Sequence, residues 1–230
     1  MKVICVLAVI ACAGAAYGVD VVVPGQGNIF GAGFAVPPSP GGGGGGVLPT
    51  LINVGVGPGG YVEFPSVTGE VSAGVGFPLH GGDGGTSASG TTDVLSWQGI
   101  SGIIHENRTL FLTGVFLGQA SASNPAPQRL NVTNSNNQQV FSPLIAQTFF
   151  IGNGYDSSLT LQRFNIPTGA TRLYLGFVDA LDFGFPTSNP GHYADNTGSL
   201  RVTANLIPAP ATSLLALGLL GACSTRTRRR

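Results

Sequence analysis

Between its two ends this chain carries no helical period: apolar residues fall in short runs, and glycine or proline closes most of them. With 37 glycines and 16 prolines in 230 residues, helices are opposed by backbone entropy at one residue type and by a missing N–H at the other. The chain therefore reads as strands and turns. Leu51-Ile52-Asn53-Val54-Gly55-Val56, Tyr61-Val62-Glu63-Phe64, Val67 to Ala73 and Ile100 to Ile104 set polar or small residues between apolar ones and predict strands. Thr109 to Leu117 is nearly continuous in apolar side chains, as expected of a strand in a sandwich core. Phe149 to Ile151, Leu159 to Phe164, Arg172 to Val178 and Leu200 to Leu206 supply the rest. The economical architecture is all-β, a jelly-roll-like β-sandwich.

The ends differ from the body. Residues 1–18 predict a signal peptide: Lys2, an apolar helix-forming run from Val3 to Ala16, and small residues before a cut near Ala16-Tyr17-Gly18. Val9-Ile10-Ala11-Cys12 also fits lipoprotein processing at Cys12, and the two stand as alternatives. Residues 19–50 form a Gly/Pro-rich segment in which Pro37-Pro38-Ser39-Pro40 precedes Gly41 to Gly46, so a flexible loop or linker is expected there. The sandwich domain is expected at 51–206. In 207–230, Pro208-Ala209-Pro210, the apolar stretch Leu214 to Cys223 and Arg226, Arg228, Arg229 and Arg230 follow one another, and the order resembles a PEP-CTERM sorting signal. That resemblance implies an exosortase-type processing enzyme as partner and a short hydrophobic helix that anchors the chain transiently in the inner membrane. The apolar stretch is short for a lasting span, and the arginines belong on its cytoplasmic side. The expected destination is the bacterial cell surface or the extracellular space.

Charge and rare residues exclude several function classes. The formal net charge of zero hides an acidic body, since Lys2 and four of the arginines lie at the ends and leave five arginines against ten carboxylates between them. Nucleic acid needs a basic footprint and is excluded. All three cysteines, Cys5, Cys12 and Cys223, are terminal, so the body has no disulfide, zinc-thiolate site or cysteine nucleophile. His80, His105 and His192 have no metalloprotease spacing, and no Gly-x-Ser-x-Gly elbow occurs. Asp179 and Asp182 are close enough in sequence to suggest a glycosidase couple, but nothing else supports one, and no enzyme is expected. Asp83, among glycines, reads as a solvated turn or a weak cation contact. The polar stretch 119–139 reads as a long loop of the kind that carries binding residues.

The segment richest in chemistry is Pro190-Gly191-His192-Tyr193-Ala194-Asp195-Asn196-Thr197-Gly198-Ser199, a turn that presents two adjacent side-chain oxygens before an alternating strand. Several kinds of oxygen in one loop suit calcium, which takes six to eight. Together with 151–164, 166–179 and Ser101 to His105, this turn resembles the bacterial calcium-dependent galactophilic lectins (PA-IL-like), a galactose-binding-like sandwich family. The resemblance implies calcium held by the side chains of Asp179, Asp195 and Asn196 and by the backbone carbonyls of His192 and His105. It implies a galactoside-type sugar or an extracellular polysaccharide bound beside Asp179, Asp195, Asn196 and Tyr193. Asp195 stands where the family has an amide, and the added charge favours calcium. The sugar-gripping His and Gln expected in 119–139 are represented by Gln128, Gln138 and Gln139 alone. The alternative is a structural surface or extracellular-matrix protein whose sandwich is stabilised by calcium and binds no sugar.

Overall fold

The computed structural model describes residues 15–55, 59–86, 90–184 and 187–209. The expected signal helix, save its last residues, and the C-terminal helix with Pro210, Arg228, Arg229 and Arg230 lie outside the described residues. Pro208 and Ala209 end the described chain just after its last strand. Among the described residues no helix is long and apolar enough to cross a membrane.

The described chain is all-β, with three 3-10 turns and the strands β1 (Tyr17–Pro24), β2 (Thr50–Asn53), β3 (Tyr61–Ser72), β4 (Thr92–Val94), β5 (Ile103–His105), β6 (Thr113–Leu117), β7 (Leu130–Asn131), β8 (Val140–Phe141), β9 (Thr148–Phe150), β10 (Arg163–Asn165), β11 (Arg172–Gly176) and β12 (Thr197–Ile207). They form a five-stranded sheet β1-β12-β3-β10-β8, a four-stranded sheet β2-β11-β6-β9 and a small sheet β4-β5-β7. The chain crosses between the two larger sheets at β1–β2–β3 and again along β9–β10–β11–β12, so neighbours in a sheet are distant in sequence. The long antiparallel ladder of β12 with β3 on one side and β1 on the other is the backbone of the larger sheet.

Strands β6, β9 and β11 of the four-stranded sheet are buried on both faces, which explains why Thr109 to Leu117 lacks alternation. Leu110, Leu112 and Phe116 join the core facing the five-stranded sheet, while Phe111, Val115 and Leu117 join a second core beneath the small sheet. Adjacent Phe149 and Phe150 divide in the same way. Phe164 in β10 holds the main sandwich together: its ring lies 5.0 Å from Phe141, 5.4 Å from Phe64 and 5.3 Å from Phe149, contacts that combine large apolar burial with favourable ring geometry.

The N-terminal segment departs from expectation. Tyr17 and Gly18, assigned to the leader by sequence, pair with Leu206 and Asn205 in the first ladder. The glycine-rich run is no linker either. Gly42, Gly43, Gly44 and Gly46 adopt positive φ, and Gly42 O and Gly44 O accept hydrogen bonds from the backbone N–H groups of His192 and Tyr193 at 2.9 and 3.0 Å. Entropy argues against ordering six glycines, but contact with the 190–196 turn fixes them.

Candidate functional site

After β11 the chain leaves the sheet through Phe177 and Val178, both buried, and delivers Asp179 to the base of a small cavity with 2% of its surface exposed. Tyr193, fully buried, props it from beneath: its hydroxyl accepts from Asp179 N at 3.0 Å and donates to Phe177 O at 3.3 Å. Asp195 and Asn196 follow two and three residues later, after a turn in which His192 takes φ 64°. Burial of the Tyr193 ring, permitted because its hydroxyl is satisfied by Asp179 N and Phe177 O, draws the turn inward and brings its neighbours to Asp179.

The cavity, about 140 Å³, is lined by Asp179, Asp195, Asp182 and His192 on one side and by Ala73 and Phe77 on another. Asn196 is 1% exposed. Its Nδ2 donates to Gly25 O at 3.1 Å and the same side chain hydrogen-bonds the Asp179 carboxylate, whereas its Oδ1 has no hydrogen-bond partner among the described residues. Asp179 Oδ1 accepts from Ala180 N at 2.7 Å. Burial pushes the Asp179 carboxyl well above the ordinary carboxylate range; the bonds from Asn196 and Ala180 oppose this, and the negative charge of Asp195 adds to it. Burial and the neighbouring Asp179 charge likewise push the Tyr193 phenol up, so it stays neutral.

Asp179, Asp195, Asn196 and His192 are thus brought to one place by two chain segments. The third segment is not the expected one. His105 is absent from the cavity lining: it is buried in β5, its ring 5.5 Å from Phe111 and 5.8 Å from Phe150, on an apolar bed under the small sheet. The turn after β3 stands there instead, closed by the Ser72 hydroxyl, which donates to Gly74 O at 2.8 Å and Phe77 O at 3.0 Å. The glycines at 74 and 76, both at positive φ, were the available signal for that turn, but nothing in the sequence marked it as a cavity wall. Tyr193 is also corrected. With its whole side chain inside, it offers no surface to a ligand and positions Asp179 instead. Asp182, exposed with φ 53°, borders the cavity. None of residues 119–139 lines it.

A hard cation suits this donor set. A buried carboxylate raised by desolvation, a second carboxylate beside it and an amide oxygen left unpartnered are three oxygen donors whose shared deficit is positive charge. Among the described residues no group of three or more His, Cys, Asp or Glu side chains is placed to hold a metal ion by itself, so a cation here would need amide or carbonyl oxygens beside the carboxylates. Asp179, Asp195 and Asn196 are the residues that would hold such a cation.

No family model matches the chain, and no curated protein matches it in sequence. Among solved structures it is similar to one described as "EclA N-terminal domain; PllA-like lectin", at 15% sequence identity over 81% of this chain and 94% of that one, with a TM-score of 0.35.

Proposed function

We propose that this is an exported, non-catalytic, lectin-like protein with a jelly-roll-like sandwich that binds carbohydrate at the cell surface. In this reading Asp179, Asp195 and Asn196 hold a calcium ion, and the ion takes adjacent hydroxyls of a galactoside-type sugar or an extracellular polysaccharide. The observation that carries the reading is the Asn196 amide, buried and hydrogen-bonded to the Asp179 carboxylate, whose Oδ1 has no partner among the described residues. Leaving such a group unsatisfied costs about 1–3 kcal/mol, which a bound cation removes. Export and sorting by an exosortase-type enzyme rest on the two terminal signals read from sequence.

The second reading, a surface protein with structural calcium and no sugar, is favoured by the burial of Tyr193, which removes the aromatic wall the sequence offered. Against it stands Phe77, 45% exposed on the cavity wall, where an aromatic face would meet a pyranose. Titrating the full chain with galactosides at saturating calcium, with and without chelator, separates the two. Calcium-dependent sugar binding supports the lectin; a chelator-induced fall in melting temperature without sugar binding supports the scaffold.

A further inference from the structure

Both described ends of the chain leave the same pole of the molecule. Tyr17, the first residue of β1, pairs with Leu206, and Ile207, the last residue of β12, pairs with Tyr61, the first of β3. Tyr17 Oη accepts from Gly55 N at 3.2 Å and Val54 N donates to Thr171 O at 2.8 Å, which brings the end of β2 and the start of β11 to this pole as well. The Asp179 cavity lies at the other pole, where Thr197, the first residue of β12, pairs with Ser72, the last of β3. The 11 residues of β12, at roughly 3.3 Å each, set the two poles about 33 Å apart. Past each described end the sequence is apolar. Val3 to Ala16 precede Tyr17, and the six residues Pro208 to Ser213, which span at most roughly 20 Å, join Ile207 to the run Leu214 to Cys223. Whether the membrane is entered by the C-terminal run, by an uncut leader or by a lipid on Cys12, the bilayer therefore meets this pole and not the cavity.

The side chains of the pole suit that place. Tyr17, 41% exposed, and Tyr61, half-buried, stand on opposite faces of the sheet's end, because their partners Leu206 and Ile207 are consecutive residues of one strand. Arg163 lies over the Tyr61 ring at 4.0 Å and pairs with Glu63 at 3.7 Å. Arg172 donates to the carbonyls of Gly118, Gln119 and Ala120 at 2.5 to 3.1 Å and has no carboxylate partner among the described residues. Asp20, further along β1, is held by the Thr203 hydroxyl at 2.7 Å. Tyrosine and arginine each join an apolar body to a polar tip, the form that fits a layer of lipid headgroups. The opposite pole carries Glu70, Asp179, Asp182 and Asp195, and an anionic lipid surface repels it.

We propose that the pole formed by Tyr17, Tyr61, Arg163 and Arg172 docks on the headgroups of an anionic phospholipid bilayer and holds the Asp179 cavity about 33 Å further out. This docking rests on the reading that a terminal apolar segment enters a membrane, and it is independent of whether the cavity takes calcium or sugar. The test is nuclear magnetic resonance of the full-length ²H,¹⁵N-labelled protein in nanodiscs of phosphatidylcholine and phosphatidylglycerol doped with a gadolinium-chelating lipid. The amides of Gly18, Gly60, Tyr61 and Ile207 should broaden, while those of Gly74 to Phe77 and His192 to Asn196 stay sharp. In Y17S/Y61S the broadening should fall at least about twofold with the chain still in the disc, and unmoved amide positions at the outer turns report that the fold is kept. A full-length chain that does not enter the nanodiscs overturns the membrane reading and the docking with it. Entry with broadening at the outer turns, with none at the tyrosine pole, or with no fall in Y17S/Y61S overturns the docking alone.

Discussion

Asp179 is the residue on which the site turns, because it is held in a state that folding alone disfavours. Its carboxyl is raised by burial and by Asp195, so ionising it in the metal-free protein costs stability near neutral pH. D179N removes that charge while keeping an acceptor for Ala180 N. The metal-free variant should melt higher than wild type, and calcium should no longer raise its melting temperature; thermal scans with and without calcium check both. His105, moved from the metal site to the core, makes a separate prediction. Burial, with Arg108 adding to it, lowers its pKa from 6.5 to about 4, so the folded protein resists a proton that the unfolded chain accepts. Stability from this source is full above about pH 6.5 and is lost as pH falls towards 4, by up to ~3 kcal/mol. Denaturant unfolding across that range should show wild type losing stability relative to H105F as pH falls, the Asp179 contribution being common to both.

At the scale of elements, the six-glycine run is a seat for the 190–196 turn. A Cβ on Gly46 would lie 2.3 Å from Gln26 O and 2.6 Å from Tyr193 Cβ, and one on Gly43 would lie 2.3 Å from the His192 ring. G46A should therefore lower stability by roughly 2 kcal/mol or more and weaken calcium binding together with it. G76A is the control: it shares a positive φ but has nothing within 4 Å of the added Cβ, so it should cost only about 1 kcal/mol of backbone strain. Unfolding midpoints and calcium titrations of the two variants make the comparison. Sequence could not reveal this role, since a glycine run reads the same whether it hangs in solvent or packs against another loop. Tyr17 shows the same limit at the other end of the segment: signal-peptide pattern covers it, but a ladder with β12 claims it.

Across the whole molecule, what was legible follows from what is periodic. Alternation at Leu200 to Leu206 identified β12, and the solid apolar run at 109–117 identified a core segment, because burial on one face or two writes itself into neighbouring residues. Asp179, Asp195 and Asn196 were singled out by the lectin resemblance and not by any period; the structure places Asp179 just after one strand and the other two in the turn before another, with Asn196 bonded to Asp179. Phe77 and the misplaced His105 were not legible, because which distant loop closes a cavity depends on strand order, and β3 and β12 are neighbours in one sheet although far apart in sequence. The central claim is that these two separated stretches, completed by the turn after β3, make one calcium site. Calorimetric titration of the full chain with calcium tests it most directly: the account predicts one ion bound per chain in wild type, with binding lost in D179N and weakened at least about tenfold in D195N. No calcium heat in wild type, or a full-strength isotherm in D179N, would contradict it.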